Sequence, residues 1–172
     1  MLYYNLLPYR CNFKGKTEKN MNILFVCTGN SCRSPMAEAY FNMLVMRDGK
    51  SDIYAESAGI HTFDGCGASM QAKMVAKSFG GDLSNFRSRR FLQTMGSEYD
   101  LIIAMTRSHL IAVQQIAPMA NVKLLSDYAD WQNKDVPDPY GENVDGYARV
   151  FAFMKEALDS LYRNLTNSNT NS

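Results

Sequence analysis

The stretch "VCTGNSCRSPMAEA", Val26 to Ala39, decides how this chain is read. It joins an apolar run, "NILFV" (22–26), to a stretch whose apolar residues recur at helical spacing from Pro35 onward. The join is therefore strand, short polar loop, helix. The loop holds Cys27, Thr28, Gly29, Asn30, Ser31, Cys32, Arg33 and Ser34. Backbone N–H groups in such a loop can curl inward into a nest, and the N-terminus of the following helix adds positive potential. That makes an anion site. The same field stabilises the thiolate of a cysteine at its start. The arginine six positions later carries a guanidinium fork that matches two oxygens of a tetrahedral oxyanion. One loop thus combines a nucleophile with a phosphate cradle. It has no GK[ST], so it is not the nucleotide P-loop.

Outward from this loop, apolar runs alternate with helical patterns. The first helix carries a stripe of Met36, Tyr40, Met43, Leu44 and Arg47. "DIYAESAG" (52–59) reads as a second strand ending in a glycine turn, and Ser69 to Phe79 as a helix closed by Gly80-Gly81. "DLIIAM" (100–105) is a third buried strand, Arg107 to Ala117 a helix stopped at Pro118, and "VKLL" (122–125) a short fourth strand. Residues 126–144 are polar, with Pro137 and Pro139, and read as a loop. The last helix places Tyr147, Val150, Phe151, Met154, Leu158, Leu161, Tyr162 and Leu165 on one face. This alternation implies an α/β fold of three layers: a four-stranded parallel sheet flanked by helices, with the phosphate-binding loop between the first strand and the first helix. In such sheets ligands bind beyond the carboxyl ends of the strands, where this loop lies.

Composition bounds the partners. The chain has 172 residues, 46% apolar and 20% charged, with a net charge of +1, which fits one globular domain. Four cations in residues 1–20 stand against Glu18, so the remainder is slightly acidic and shows no basic field for nucleic acid. No apolar run approaches the roughly 20 residues that span a bilayer. Four cysteines, Cys11, Cys27, Cys32 and Cys66, are too few for a disulfide framework and point to a reducing, cytoplasmic setting. Residues 1–20 read as a disordered or non-native extension, with Met21 as the alternative start, residues 21–165 as the domain and 166–172 as a disordered tail.

A thiolate that attacks phosphorus needs an acid to protonate the leaving oxygen. The favoured carboxyl is Asp138 in "VPDPYG" (136–141), stiffened between two prolines; Asp135 is the nearest competitor, and Asp127 and Asp130 lie further off.

Together, the C-x-G-N-x-C-R-S form of the loop, "SAG" (57–59), "DLS" followed by "RSR" (82–89) and the late "DPY" resemble the low-molecular-weight protein tyrosine phosphatases over about residues 21–165. The resemblance implies a four-stranded parallel fold and a phosphatase acting on a phosphorylated protein, with no metal or organic cofactor. It implies Cys27 as nucleophile, Arg33 as binder of the phosphoryl oxygens and Asp138 as general acid, then base. It further implies Asn30 as the loop's brace, Ser34 as a donor to the Cys27 thiolate and Cys32 as its reversible disulfide partner under peroxide. Cys32 reads equally as a mere small side chain. Tyr140 and Phe63 would wall the substrate cleft. Two departures stand out: Phe86 where many members have a histidine, and Thr106 where many have an aspartate, so the surroundings of Ser34 are expected to be rewired. His61 and His109 read as structural or surface residues, and Cys11 and Cys66 as inert.

Three activities share this scaffold. Phosphotyrosine hydrolysis is favoured by Tyr140, which can stack on a phenyl ring. Protein-arginine phosphatases resemble the chain through "VCTGN-x-CRSPMAE" and "AMT"; they carry threonine where Ser31 stands, and Ser31 does not decide between the two. A thiol-dependent arsenate reductase needs a downstream cysteine pair, and no cysteine follows Cys66.

Overall fold

The computed structural model describes residues 20–131 and 134–168. Cys11, most of the N-terminal extension and the last four residues lie outside the described residues.

Four strands form one sheet: β1 (Met21–Cys27), β2 (Ile53–Gly59), β3 (Leu101–Ala104) and β4 (Val122–Leu124). All pairs are parallel, in the order β2-β1-β3-β4. The expected architecture is the one observed. The central strand β1 is apolar on both faces because both are covered. Ile23, Phe25 and Cys27 face the core built with α1 (Arg33–Arg47), α2 (Met70–Ser78) and α5 (Val144–Ser168). Leu24 and Val26 face the opposite core, which includes Met95 of α3 (Met95–Glu98) and Val113 of α4 (Arg107–Ile116). The chain leaves β1 for β2 on one side and returns to β3 on the other. The carboxyl ends of β1 and β3 therefore open a crevice at the point where the strand order reverses.

Several boundaries differ from the sequence reading, each for a local reason. Helix α1 begins at Arg33, two residues before Pro35; a proline is tolerated in the first turn because its missing N–H would have had no partner there. The buried stripe of α1 is Met36, Ala37, Tyr40, Phe41, Leu44 and Val45, while Arg47 is exposed and pairs with Asp48. Helix α5 continues through Thr166 to Ser168, where a disordered tail from 166 was expected; the Thr166 hydroxyl donates back to the Tyr162 carbonyl and extends the last turn. The short α3 and a 3-10 turn at Leu125–Tyr128 are too brief for any periodicity to reveal.

The turns follow their residue types. Ser69 caps α2 by accepting the Ala72 N–H, and Gly80 takes φ +86° just beyond its end. Gly59, at the end of β2, is demanded by space. A Cβ there would sit 2.7 Å from the Thr28 carbonyl and 3.0 Å from the Asn30 nitrogen. Gly59→Ala is therefore expected to cost about 1–3 kcal/mol by overpacking against backbone, read as a lower urea midpoint at unchanged slope.

Candidate active site

The loop between β1 and α1 is held from outside by its carbonyls. Ile60 N–H donates to the Cys27 carbonyl, His61 N–H to that of Thr28 and Ser69 N–H to that of Ser31, each at 2.9 Å. The N–H and C=O of one trans peptide point opposite ways. The N–H groups of Thr28, Gly29 and Cys32 are thus turned away from those outer partners. Helix α1 begins at Arg33, immediately behind, so its positive end closes the ring. The result is the inward-facing nest that an anion requires.

Asn30 locks this shape. It sits at φ +49°, a left-handed conformation that asparagine accepts more readily than most residues. It is fully buried, and its side-chain amide and backbone N–H are all paired. Nδ2 donates to Ser34 Oγ (3.0 Å) and Ser57 Oγ (2.8 Å), Oδ1 accepts the Arg89 N–H (2.9 Å), and its own N–H donates to Cys27 Sγ (3.3 Å). Ser34 Oγ lies 3.0 Å from Cys27 Sγ. Two donors in reach thus face the sulfur. Further in, Ser57 Oγ donates to Glu38 Oε2 at 2.6 Å. Arg89 ties the same region to the sheet edge, donating to the Ser57 carbonyl and Tyr99 and pairing with Glu56. Burial pushes the Glu38 carboxyl up to about 7, against the opposing pull of its Ser57 bond.

Arg33 and Asp138 meet across the crevice. Arg33 is 5% exposed, and its Nη2 donates to Asp138 Oδ2 at 2.8 Å, while Nη1 donates to the Val136 carbonyl at 3.3 Å. Its Nε is buried without a hydrogen-bond partner among the described residues. A buried, unmatched N–H on a cation is costly and fits a site built to receive an oxyanion. The competing Asp135 is engaged elsewhere: its Oδ1 accepts the Arg107 N–H at the start of α4 (2.8 Å), and Asp127 caps its own turn at Leu124. Val136 N–H donates to the Met105 carbonyl, so the Asp138 loop hangs from the end of β3.

The cavity above the loop measures about 280 Å³ and is lined by Cys27, Thr28, Gly29, Ser31, Cys32, Arg33, Asp138 and Tyr140. Asn30 and Ser34 lie beneath it. Tyr140 is 82% exposed at its rim; Phe63, 86% exposed, is not among the lining residues. A second depression, about 400 Å³ between α1 and α5, is occupied by groups bonded to one another, such as Tyr40 and Lys155 to Asp159, and Tyr162 to Asp48. No cysteine lines it.

Sequence reasoning missed three groups. His109 is not a surface residue. It is buried at the crevice, with Nε2 2.8 Å from Thr28 Oγ1 and Nδ1 2.8 Å from Thr106 Oγ1. Burial and the neighbouring Arg33 charge lower it to about 4, so the ring is neutral near pH 7. The signal was available: Thr106 caps α4 and accepts the His109 N–H, which points that side chain back toward β1. Tyr147 of α5 places its hydroxyl 3.1 Å from Cys32 Sγ, and burial pushes it up to about 12. Glu38 is the third. Phe86 packs against the core, and Ser34 is held by Asn30. Thr106 serves the helix cap and His109. Cys27, Cys32 and Cys66 are free thiols. Among the described residues no group of three possible metal ligands occurs, and no helix is long and apolar enough to cross a membrane.

Comparison with known proteins places this geometry in context. The family model described as "Low molecular weight phosphotyrosine protein phosphatase" matches residues 22–171. The chain is 32% identical to the low molecular weight protein-tyrosine-phosphatase Etp of Escherichia coli K12 over 146 residues, covering 84% of this chain and 95% of that protein. It is 34% identical to a protein-arginine-phosphatase of Bacillus subtilis over 148 residues, covering 84% and 97%. A solved YwlE arginine phosphatase, a cysteine-to-serine mutant with a phosphorylated active-site serine, superposes with a TM-score of 0.79 at 31% identity, covering 85% of this chain and 96% of that one.

The raised Glu38 carboxyl has a signed consequence. Between about 4.5, its ordinary value, and about 7, the folded protein holds a proton that the unfolded chain releases, so this contribution to stability is lost as pH rises through that window. Glu38→Gln keeps an acceptor for Ser57 without the charge. Its stability relative to the parent is expected to climb from pH 5 to pH 7 by on the order of 1–2 kcal/mol and level off above, measured by urea unfolding at stepped pH.

Proposed function

The chain belongs to the low molecular weight phosphotyrosine protein phosphatase family, and on that premise we propose that it hydrolyses phosphotyrosine in proteins through a phosphocysteine on Cys27. The observation that carries this reading is the buried Arg33 Nε without a partner, set behind a loop that opens with a thiol and faces a carboxyl.

In this reading the phosphoryl group enters the nest, and its oxygens take the loop N–H groups and the Arg33 fork. Cys27 Sγ, polarised by Ser34 and the Asn30 N–H, attacks phosphorus in line with the leaving phenolic oxygen. The S–P bond forms as the P–O bond breaks, and Asp138 gives its proton to that oxygen. Phosphoryl binding comes first and exchanges the Arg33 bond to Asp138 for bonds to phosphoryl oxygens, which frees the carboxyl for this proton transfer. Asp138 next takes a proton from a water that attacks the phosphocysteine, returning the thiolate and inorganic phosphate. Thr28, Gly29, Ser31 and Cys32 shape the cradle, and Tyr140, with Phe63 beyond the cavity, flanks the phenyl ring. Cys32, in the same cavity wall as Cys27, is the partner for a protective disulfide under peroxide. Residues from 21 onward form the catalytic domain, and its free thiols suit a reducing cytoplasm.

A second reading, protein-arginine phosphatase, is favoured by one observation. Arginine phosphatases match the chain about as well as the tyrosine enzymes do.

The deciding experiment compares a phosphotyrosine peptide with a phosphoarginine peptide near neutral pH, using Cys27→Ser as the blank. Preference for phosphotyrosine is expected. Asp138→Asn should lower kcat by about 10²–10⁴-fold, more on phenyl phosphate than on p-nitrophenyl phosphate, whose leaving group needs less protonation. Equal loss on both esters would remove Asp138 from the acid role, and turnover by Cys27→Ser would refute the phosphocysteine.

A further inference from the structure

We infer that His109 is a positioning residue of this site: through the Thr28 hydroxyl it fixes where the Arg33 guanidinium stands for an incoming oxyanion. This rests on the phosphatase reading above.

Three observations carry it. First, both ring nitrogens of a buried histidine are spent on hydroxyls, Thr28 Oγ1 on one side and Thr106 Oγ1 on the other, each at 2.8 Å. Thr106 is in turn fixed as the α4 cap and lies 2.8 Å from Ser108 Oγ. The ring therefore has one orientation. Second, Thr28 lines the cavity directly after Cys27, and its hydroxyl accepts from Arg33 Nη2 at 3.5 Å. Third, the other holds on the guanidinium are the Val136 carbonyl and Asp138, both on one loop. Thr28 is the hold from the opposite wall, and it stays when Asp138 is exchanged for phosphoryl oxygens.

The Thr28 hydroxyl is held whichever ring nitrogen carries the proton. A hydroxyl oxygen has one hydrogen and two acceptor sites. With the proton on Nε2, the ring donates to Thr28 Oγ1, one acceptor site remains for Arg33, and the Thr28 hydrogen turns elsewhere. With the proton on Nδ1, Thr28 donates to Nε2 and keeps both acceptor sites. Either way Oγ1 is pinned with an open lone pair toward Nη2. A neutral ring suits this place, because a second cation beside Arg33 would be repelled.

The test uses the full chain with inorganic phosphate as probe, its binding measured calorimetrically and as competitive inhibition of p-nitrophenyl phosphate hydrolysis. The variants are His109→Asn, His109→Gln, Thr28→Val and the Asn/Val double. The glutamine amide reaches about as far as Nε2, whereas the asparagine amide reaches only as far as Nδ1. Thr28→Val and His109→Asn are each expected to weaken phosphate about 3–10-fold and to raise KM more than they lower kcat. The double variant should be no weaker than the singles, and His109→Gln should restore most of the affinity. Parental phosphate affinity in Thr28→Val, multiplying losses in the double, or a Gln variant as weak as the Asn one would overturn the proposal. If His109→Asn fails to fold, the Thr28→Val and His109→Gln arms decide. Calorimetric phosphate binding needs no turnover, so a parent that binds phosphate but hydrolyses nothing would sink the phosphatase reading alone.

Discussion

Asn30 holds a left-handed backbone turn inside the protein, where each of its amide groups must find a partner. Its backbone N–H reaches the sulfur of Cys27, and its side-chain amide couples the hydroxyls of Ser34 and Ser57 to the strand-like segment at Arg89. Remove that amide and several buried polar atoms lose partners together, each costing about 1–3 kcal/mol. The amide works together with the Ile60, His61 and Ser69 N–H groups, which hold the loop's carbonyls outward. Gly59 completes the constraint from the other side, since only a residue without a side chain lets β2 end so near the Thr28 carbonyl.

Two layers of polar groups surround the reacting centre, and they differ in how they titrate. Beneath the loop, Glu38 resists ionisation because it is drawn away from water with only a hydroxyl as direct donor. Beside the loop, His109 resists protonation because it is buried near a permanent cation. The neutral His109 adds no second cation beside Arg33, whose charged partner is Asp138.

Much of this was legible in residue order. The apolar run 22–26, the Gly-Asn turn and the helical spacing after Pro35 led to the strand–loop–helix unit, and alternation along the chain led to the parallel sheet. Asp138 stood out between its prolines, and the structure brings it to Arg33 while Asp135 caps α4. Other features were illegible because they depend on contacts between distant residues. Glu38 looks like any polar position on a helix until Ser57 is seen beneath it. Tyr147 belongs to an apolar stripe, and nothing in that stripe says its hydroxyl ends at Cys32. Phe63 and Tyr140 both stand largely in solvent, and of the two only Tyr140 lines the cavity.

The contact between Arg33 and Asp138 joins residues 105 positions apart. Three of the four strands, β2, β3 and β4, lie between the two. Closing so long a segment has a high entropic cost, and the contact can persist only once the strands between are aligned. The thiol loop draws its partners from no further along the chain than Arg89, whereas the pairing of cation with carboxyl also waits for β3 and the loop that hangs from its end. A partly folded chain would carry the loop without its acid facing it. Recovery of turnover after dilution from denaturant is therefore a late clock of folding, lagging behind signals that report helices alone.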